Sequence, residues 1–395
     1  MGTTLVVNPG SSSRKYALYD GRELALEVRF EDTNTGFEMC SQVSGTQQIC
    51  ESIKESDFKS AFAKVAEETK NYLQRELMGK KLDAIVVRVV SPGTFFQKHA
   101  LIDDTYLAEL KKRESTAPLH IPTIVREIES VKKFFPDVRL VAASDSAFHS
   151  EMPPQAREFS IAVEDVNSLD IHRFGYHGLS VASVVRRIHP LIGQDPERMI
   201  VCHIGNGTSV TAVKNGKSVE TTMGFAPATG LPMGSRAGDI DNAALLELIR
   251  KKNFRPIDAE MYINTKGGFA GMAKESDIRR LLDRRSQNDA TATRALDVFA
   301  YHVQKSVAAL TVALGGLDVL VLTATASVRS SELRSLVLRG LSHLGVDVSK
   351  DRNDLLIGKE GVISVRNSAV KIVVMKTDEM GEMALVGDRF NSSDK

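Results

Sequence analysis

The chain has 395 residues, 42% hydrophobic and 26% charged, a composition typical of soluble globular proteins and long enough for about two to three domains. Its 51 basic and 50 acidic side chains leave a formal net charge of +1, so no overall field draws nucleic acid or an anionic membrane, and a phosphate ligand would have to be held locally. Cys40, Cys50 and Cys202 show no C-x-x-C spacing. They read as reduced, buried or incidental thiols in a cytoplasm rather than a disulfide framework or a zinc site.

The chain runs directly into an apolar strand, Leu5-Val6-Val7, with no basic region and no long apolar stretch ahead of it, so no secretory signal is expected. Asn8-Pro9-Gly10-Ser11-Ser12-Ser13 follows, then a strand around Tyr16-Ala17-Leu18, an Asp20-Gly21 turn and a third strand. Helical patterns at 58–77 and 121–135 flank strand patterns at 84–90 and 140–143. A helix at 179–187 leads to a second copy of the first device. Met199-Ile200-Val201-Cys202-His203-Ile204 runs into Gly205-Asn206-Gly207-Thr208-Ser209, a strand to Val213, an Asn215-Gly216 turn and Ser218-Val219-Glu220. Each first turn offers glycine, asparagine and hydroxyl groups, so backbone N–H groups can converge on an anion with no Cβ in the way.

Helices at 242–251 and 291–314 and strands at 317–323 and 371–375 complete the pattern. The most apolar run, 307–324, is broken by Gly315-Gly316 and Asp318, and reads as a helix, a glycine C-cap and a buried strand rather than a membrane span. Strands alternating with helices, together with two three-stranded units, predict an α/β protein with mixed sheets in two related lobes. No low-complexity linker marks the boundary, which is placed near residue 150, beside Met152-Pro153-Pro154. The lobes are expected at 1–150 and 151–379, with 380–395 crossing back to the first.

Several residues stand out chemically. Arg88 interrupts the apolar strand Ile85-Val86-Val87-Arg88-Val89-Val90, so it is either aimed into a cleft or matched by a buried partner. His120 lies between two prolines, where a plain helix-start role is equally open. Asp145 follows a strand and could simply cap a helix. His177 lies beside glycine, as close ligand approach requires, and Arg236 lies in the glycine-rich loop 231–239. Planar guanidinium forks suit carboxylate and phosphate. Glu379, directly after a strand, is favoured by a helix dipole in any case but is also what a hard Mg²⁺ ion would use. No Walker A sequence and no kinase-type glycine loop occurs.

In their order, these segments resemble the acetate kinase family, within the superfamily that also holds sugar kinases and actin. They are residues 8–15, 117–120, 145–149, 174–178, 203–209 and 233–241, spread over nearly the whole chain. The resemblance implies two duplicated actin-like (ribonuclease H-like) lobes with mixed sheets around a central cleft. It implies a cytoplasmic homodimer, with apolar helices of the second lobe supplying the dimer surface. The implied activity is transfer of the terminal phosphoryl group of ATP, assisted by Mg²⁺ or Mn²⁺, to acetate or another short-chain carboxylate.

Carried over by residue, Arg88 and Arg236 would hold the carboxylate and phosphoryl oxygens, with His177 and His120 bonding the group in flight. Asp145 would orient Arg236 or the metal shell. Asn8 and Glu379 would bind the metal. Lys15, Ser11, Ser13, His203, Gly205, Asn206, Gly207, Asp277 and Arg279 would serve the nucleotide and its phosphates. Val90, Leu119, Tyr176 and Pro227 would line the acyl pocket, which suits acetate and also admits propionate.

The sequence departs from the family in two places. Ser91-Pro92-Gly93 stands where His-Gly-Gly is usual, and Thr323-Ala324-Thr325-Ala326-Ser327-Val328-Arg329 replaces a Gly-Gly-Ile-Gly-Glu-Asn loop against the nucleoside. A Cβ at each former glycine makes positive φ costly and leaves adenosine less room. Three alternatives therefore stay open: a non-ATP donor such as pyrophosphate, a phosphate- or nucleotide-binding homologue without turnover, and a hydrolase on the same fold.

Overall fold

A computed structural model of the chain describes residues 2–10, 13–33, 36–114, 116–117 and 121–392. It divides into two compact units, Met1–Ala147 together with Asp378–Lys395, and Phe148–Thr377.

The first unit carries β1 (Thr3–Asn8), β2 (Ser13–Asp20), β3 (Glu23–Thr33), β4 (Gly36–Val43), β5 (Ile49–Ile53), β6 (Ala84–Val89), β7 (Ala100–Leu101) and β8 (Arg139–Ser144). Their order in the sheet is β5-β4-β3-β2-β1-β6-β8-β7. The strands β1 to β5 form an antiparallel meander, whereas β1, β6 and β8 run parallel. Parallel central strands must be covered on both faces, which is why β6 and β8 read as nearly unbroken apolar runs. Leu5, Val7, Ile85, Val87 and Leu140 face a core closed by helices Ala61–Arg75 and Ile121–Phe134. The helix Glu379–Ser392 packs on β1, β6 and β8. It lies so close that a methyl group on Gly387 would sit 2.9 Å from Val86 and 3.0 Å from Thr4, so only glycine admits this approach.

The second unit carries β9 (Arg198–Ile204), β10 (Thr208–Lys214), β11 (Lys217–Thr221), β12 (Val319–Thr323), β13 (Gly361–Val362) and β14 (Lys371–Met375), in the order β11-β10-β9-β12-β14-β13. Its plan repeats that of the first unit without counterparts of β4 and β5: a three-stranded antiparallel meander, two strands parallel to its first strand, and a short antiparallel edge. Side chains alternate as a pleated strand requires. Ile200, Cys202 and Ile204 face the core under helix Ala290–Leu314, whereas Met199 and Val201 face Val181 and Val184 of helix Gly178–Arg187. The long helix ends on Gly315 in the left-handed conformation, followed by β12, as the glycine and aspartate in that apolar run predict. Among the described residues no helix is long and apolar enough to cross a membrane. The α/β class with two related mixed sheets is as expected, but β4, β5 and many of the shorter helices were not anticipated.

One expectation is overturned. Cys40 and Cys50 are directly opposed in β4 and β5 and form a disulfide. Their ten-residue separation hides a register set by the hairpin, which no motif spacing announces. Cys202 is buried as expected, and burial pushes its thiol up to about 12, so it stays protonated and unreactive.

Candidate functional site

In the first unit, the charged residue that interrupts β6 has its answer in β8. Arg88 Nε donates to Asp145 Oδ1 at 3.2 Å and Nη2 donates to Oδ2 at 3.0 Å, a bidentate pair between neighbouring parallel strands. Its Nη1 donates to Asn8 Oδ1 at 3.4 Å and lies 3.9 Å from Glu379 Oε2. Asp145 is 1% exposed in this pair and Arg88 19%. Burial alone would lower the guanidinium pKa. The Asp145 and Glu379 carboxylates outweigh it and hold the pKa raised, so Arg88 is a permanent cation. Four sequence-predicted residues therefore meet here, brought from the end of β1, from β6, from the end of β8 and from the start of the last helix.

Asp145 follows β8, whose last residue is held by a side chain that the sequence did not single out. His99 Nδ1 accepts the Ser144 N–H at 3.1 Å. Burial and the Arg389 guanidinium push the imidazole from 6.5 down to about 4. The folded value lies below the unfolded one, so this stabilisation is fully present above about pH 6.5 and is lost as pH falls toward 4. The loss should total about 3 kcal/mol. Denaturant titrations of wild type and His99→Asn across pH 4 to 7 should show that slope in the wild type alone.

Other predicted residues of this unit are placed less decisively. Lys15 is exposed on β2, and Ser13 Oγ is buried without a partner among the described residues. Val90 is half-buried against the core. Ser11, Leu119 and His120 lie outside the described residues.

In the second unit the turn between β9 and β10 is the centre. His177 precedes helix Gly178–Arg187 with φ of 60°, a left-handed conformation that lets the chain turn sharply into the helix. Its Nδ1 bonds Ser209 Oγ at 2.9 Å, which sets the ring orientation. A methyl group on Gly207 would lie 3.0 Å from His177 Nε2 and 3.6 Å from Arg236 Nη1, so both groups border the space left by the missing side chain. His203 stacks on His177, with centroids 3.9 Å apart and planes at 21°, and its Nδ1 bonds Ser180 Oγ at 2.8 Å. Ser209 and Ser180 were not singled out as site residues. The only sequence signal for them is that a histidine aimed at a ligand needs an orienting partner on its other nitrogen.

Arg236 Nη1 donates to the Pro227 carbonyl at 2.8 Å. Its loop is held by backbone bonds from Phe269 to Met233 at 2.9 Å, from Ala270 to Gly234 at 2.8 Å and from Gly267 to Ser235 at 3.0 Å. Asn206 is exposed at the turn, and Gly205 N–H donates to the Gly207 carbonyl at 2.9 Å. Tyr176 is fully buried, with its hydroxyl donated to the Phe225 carbonyl at 2.6 Å. Asp277 caps helix Ile278–Ser286 and bonds the exposed Arg279 at 2.6 Å.

The altered segment follows β12 and is a short helix, Thr325–Arg329, rather than a loop. Ala324 has φ of 70° and ψ of 169°, a region that glycine alone occupies readily, and its methyl lies 3.6 Å from where a Cβ on Gly205 would stand. This short helix is braced from behind by Arg334, which is fully buried. Arg334 donates to the carbonyls of Ser327 at 2.7 Å, Val328 at 3.1 Å, Asn353 at 2.6 Å and Leu356 at 3.0 Å, and to Asn353 Oδ1 at 2.6 Å. Burial pulls its pKa down to about 10, so it is still charged at neutral pH.

In the second unit, imidazole and guanidinium donors bordering a bare glycine turn can stabilise anionic charge without covalent chemistry; in the first, a guanidinium is held by a carboxylate. The class that this fold and these groups define is a phosphotransferase. The Acetokinase family model matches residues 3–385. The acetate kinase of Thermoanaerobacterium thermosaccharolyticum is 36% identical over 387 residues, 95% of each chain, and that of Dictyoglomus turgidum 35% identical over 385, covering 95% of this chain and 94% of its own. A propionate kinase from Francisella tularensis superposes with a TM-score of 0.87 at 29% identity, covering 98% of this chain and 99% of its own. The chain belongs to the acetokinase family, and it is an enzyme that transfers phosphoryl groups to a carboxylate acceptor.

Proposed function

We propose that this enzyme reversibly transfers the terminal phosphoryl group of ATP to acetate, giving acetyl phosphate and ADP, with Mg²⁺ or Mn²⁺ bound. The observation that carries the reading is the meeting of His177 Nε2 and Arg236 Nη1 over Gly207. Phosphoryl transfer passes through a loose transition state whose charge spreads over the equatorial oxygens, so oriented donors do most of the work. His177, fixed by Ser209, and Arg236 bond those oxygens, and the N–H groups of Asn206 and Gly207 receive the donor phosphates, the Gly205 N–H being held by the Gly207 carbonyl. Arg88, with Asp145 behind it, binds the acid's carboxylate. Asn8 Oδ1 and Glu379 Oε2, which both border Arg88 Nη1, would supply two oxygen ligands to a small hard cation completed by phosphate and water. That cation would neutralise phosphate charge.

Arg236→Ala is expected to lower acyl phosphate formation by about 10²- to 10³-fold, with an unchanged thermal midpoint. Trapping the product with hydroxylamine measures it, and near-normal turnover would remove Arg236 from the mechanism. Acetate and propionate differ by one methylene, worth only about 1–3 kcal/mol of discrimination, so both are expected to turn over.

Pyrophosphate as donor is a second reading, favoured by the strained Ala324 beside the phosphate turn. Ala324→Gly is expected to relieve about 1 kcal/mol of backbone strain and raise the thermal midpoint by roughly 2 °C. It should also raise kcat/KM for ATP relative to pyrophosphate. An unchanged donor ratio would show that Ala324 does not select the donor.

The reading includes a homodimer. It is supported by the exposed Tyr301 and Val312 on helix Ala290–Leu314, 62% and 84% accessible, and light scattering after size-exclusion chromatography tests it.

A further inference from the structure

Asp145 owes its position to backbone bonds on both sides. Its own N–H donates to the Val89 carbonyl of β6 at 3.0 Å. Ser146 N–H donates to Ser144 Oγ at 3.1 Å, and that hydroxyl donates to the Phe96 carbonyl. Successive amides in a strand face opposite sides, so Ser144 N–H points away from β6, toward β7. The strand β7 is two residues long, and its register pairs Ala100 with Ala142, so it ends short of Ser144. The His99 side chain takes over there, with Nδ1 3.1 Å from Ser144 N. A backbone amide can only donate, so Nδ1 is unprotonated and the ring proton sits on Nε2. Burial and Arg389 keep the ring neutral down to about pH 4.

We infer that His99 is a positioning residue: its neutral Nδ1 anchors the end of β8 so that Asp145 meets Arg88 in the bidentate geometry. The inference rests on the reading of Arg88 as the ligand of the acid. A buried amide left without an acceptor draws the strand end toward another partner, and Asp145 is the next residue.

Asparagine places Oδ1 where histidine has Nδ1, whereas glutamine carries its amide one bond too far and leucine offers no acceptor. His99→Leu and His99→Gln are expected to lower kcat/KM for acetate roughly 10- to 100-fold while KM for the phosphoryl donor stays within about twofold. His99→Asn is expected to restore kcat/KM to within about threefold of wild type. Equal losses in the Asn and Leu variants, or a parallel loss in acid and donor parameters, would overturn the inference, because a merely structural role moves both together. Nitrogen-15 NMR of the His99 ring at pH 7 should show an unprotonated Nδ1. A proton on Nδ1 would overturn the inference independently of turnover, whereas a wild type that turns over no donor would instead sink the functional reading.

Discussion

If Arg88 binds the acid as proposed, replacing it with alanine is expected to lower acyl phosphate formation by about three orders of magnitude, because the variant loses the cation that holds and orients the attacking carboxylate. The same substitution should cost about 3 kcal/mol of stability. Asp145 is 1% exposed, and losing the guanidinium strands a buried carboxylate whose desolvation the ion pair had offset. The double variant Arg88→Ala with Asp145→Asn separates the two effects, since it removes the stranded charge without restoring the cation. Its denaturant midpoint should return most of the way to wild type while turnover stays at the level of the single variant. A double variant no more stable than Arg88→Ala would mean that the carboxylate is not what is stranded.

Arg334→Leu is expected to be the most destabilising change in the second unit, at about 4 kcal/mol or more. Leucine fills the space of the aliphatic stem but leaves the carbonyls of Ser327, Asn353 and Leu356 and the Asn353 amide oxygen without their guanidinium donor, while the Val328 carbonyl keeps the Gly358 N–H at 3.0 Å; each buried acceptor so stranded costs about 1–3 kcal/mol. Partial relaxation of the segment around Asn353, whose Nδ2 still donates to the Ser331 carbonyl at 2.9 Å, keeps the total below the simple sum. Since Ser327 and Val328 belong to the short helix Thr325–Arg329 that follows Ala324, the loss should also raise KM for the phosphoryl donor. Chemical denaturation and donor kinetics check both. An Arg334→Leu protein of wild-type stability would mean that the five bonds are replaced by water.

Much of the candidate site was legible because its elements are local. The turn at 205–209, the glycine beside His177 and the glycine-rich loop around Arg236 each declare themselves within a few residues, through turn chemistry and the lack of a Cβ. The isolated charge in β6 was legible as a residue that needed an explanation, but not which explanation. The partner of Arg88 lies 57 residues away and faces it only because β6 and β8 pair in parallel with Val89 beside Ser144.

Arg334 was missed outright. In an amphipathic helical stretch an arginine reads as solvated surface, and nothing local says that it is fully buried among carbonyls. The cysteines were misread for a related reason: two thiols ten residues apart become partners only when a hairpin puts them opposite one another.

Hydrophobic periodicity, glycine and proline punctuation and motif order, all short-range properties of the chain, thus determined the α/β class, the duplicated meander and the family. Tertiary structure decided which charge neutralises which, the stacking of His177 on His203, the His99 anchor beneath Asp145 and the Cys40–Cys50 bridge. Those pairings depend on strand register and close packing between segments far apart in the chain, and both are properties of the folded whole.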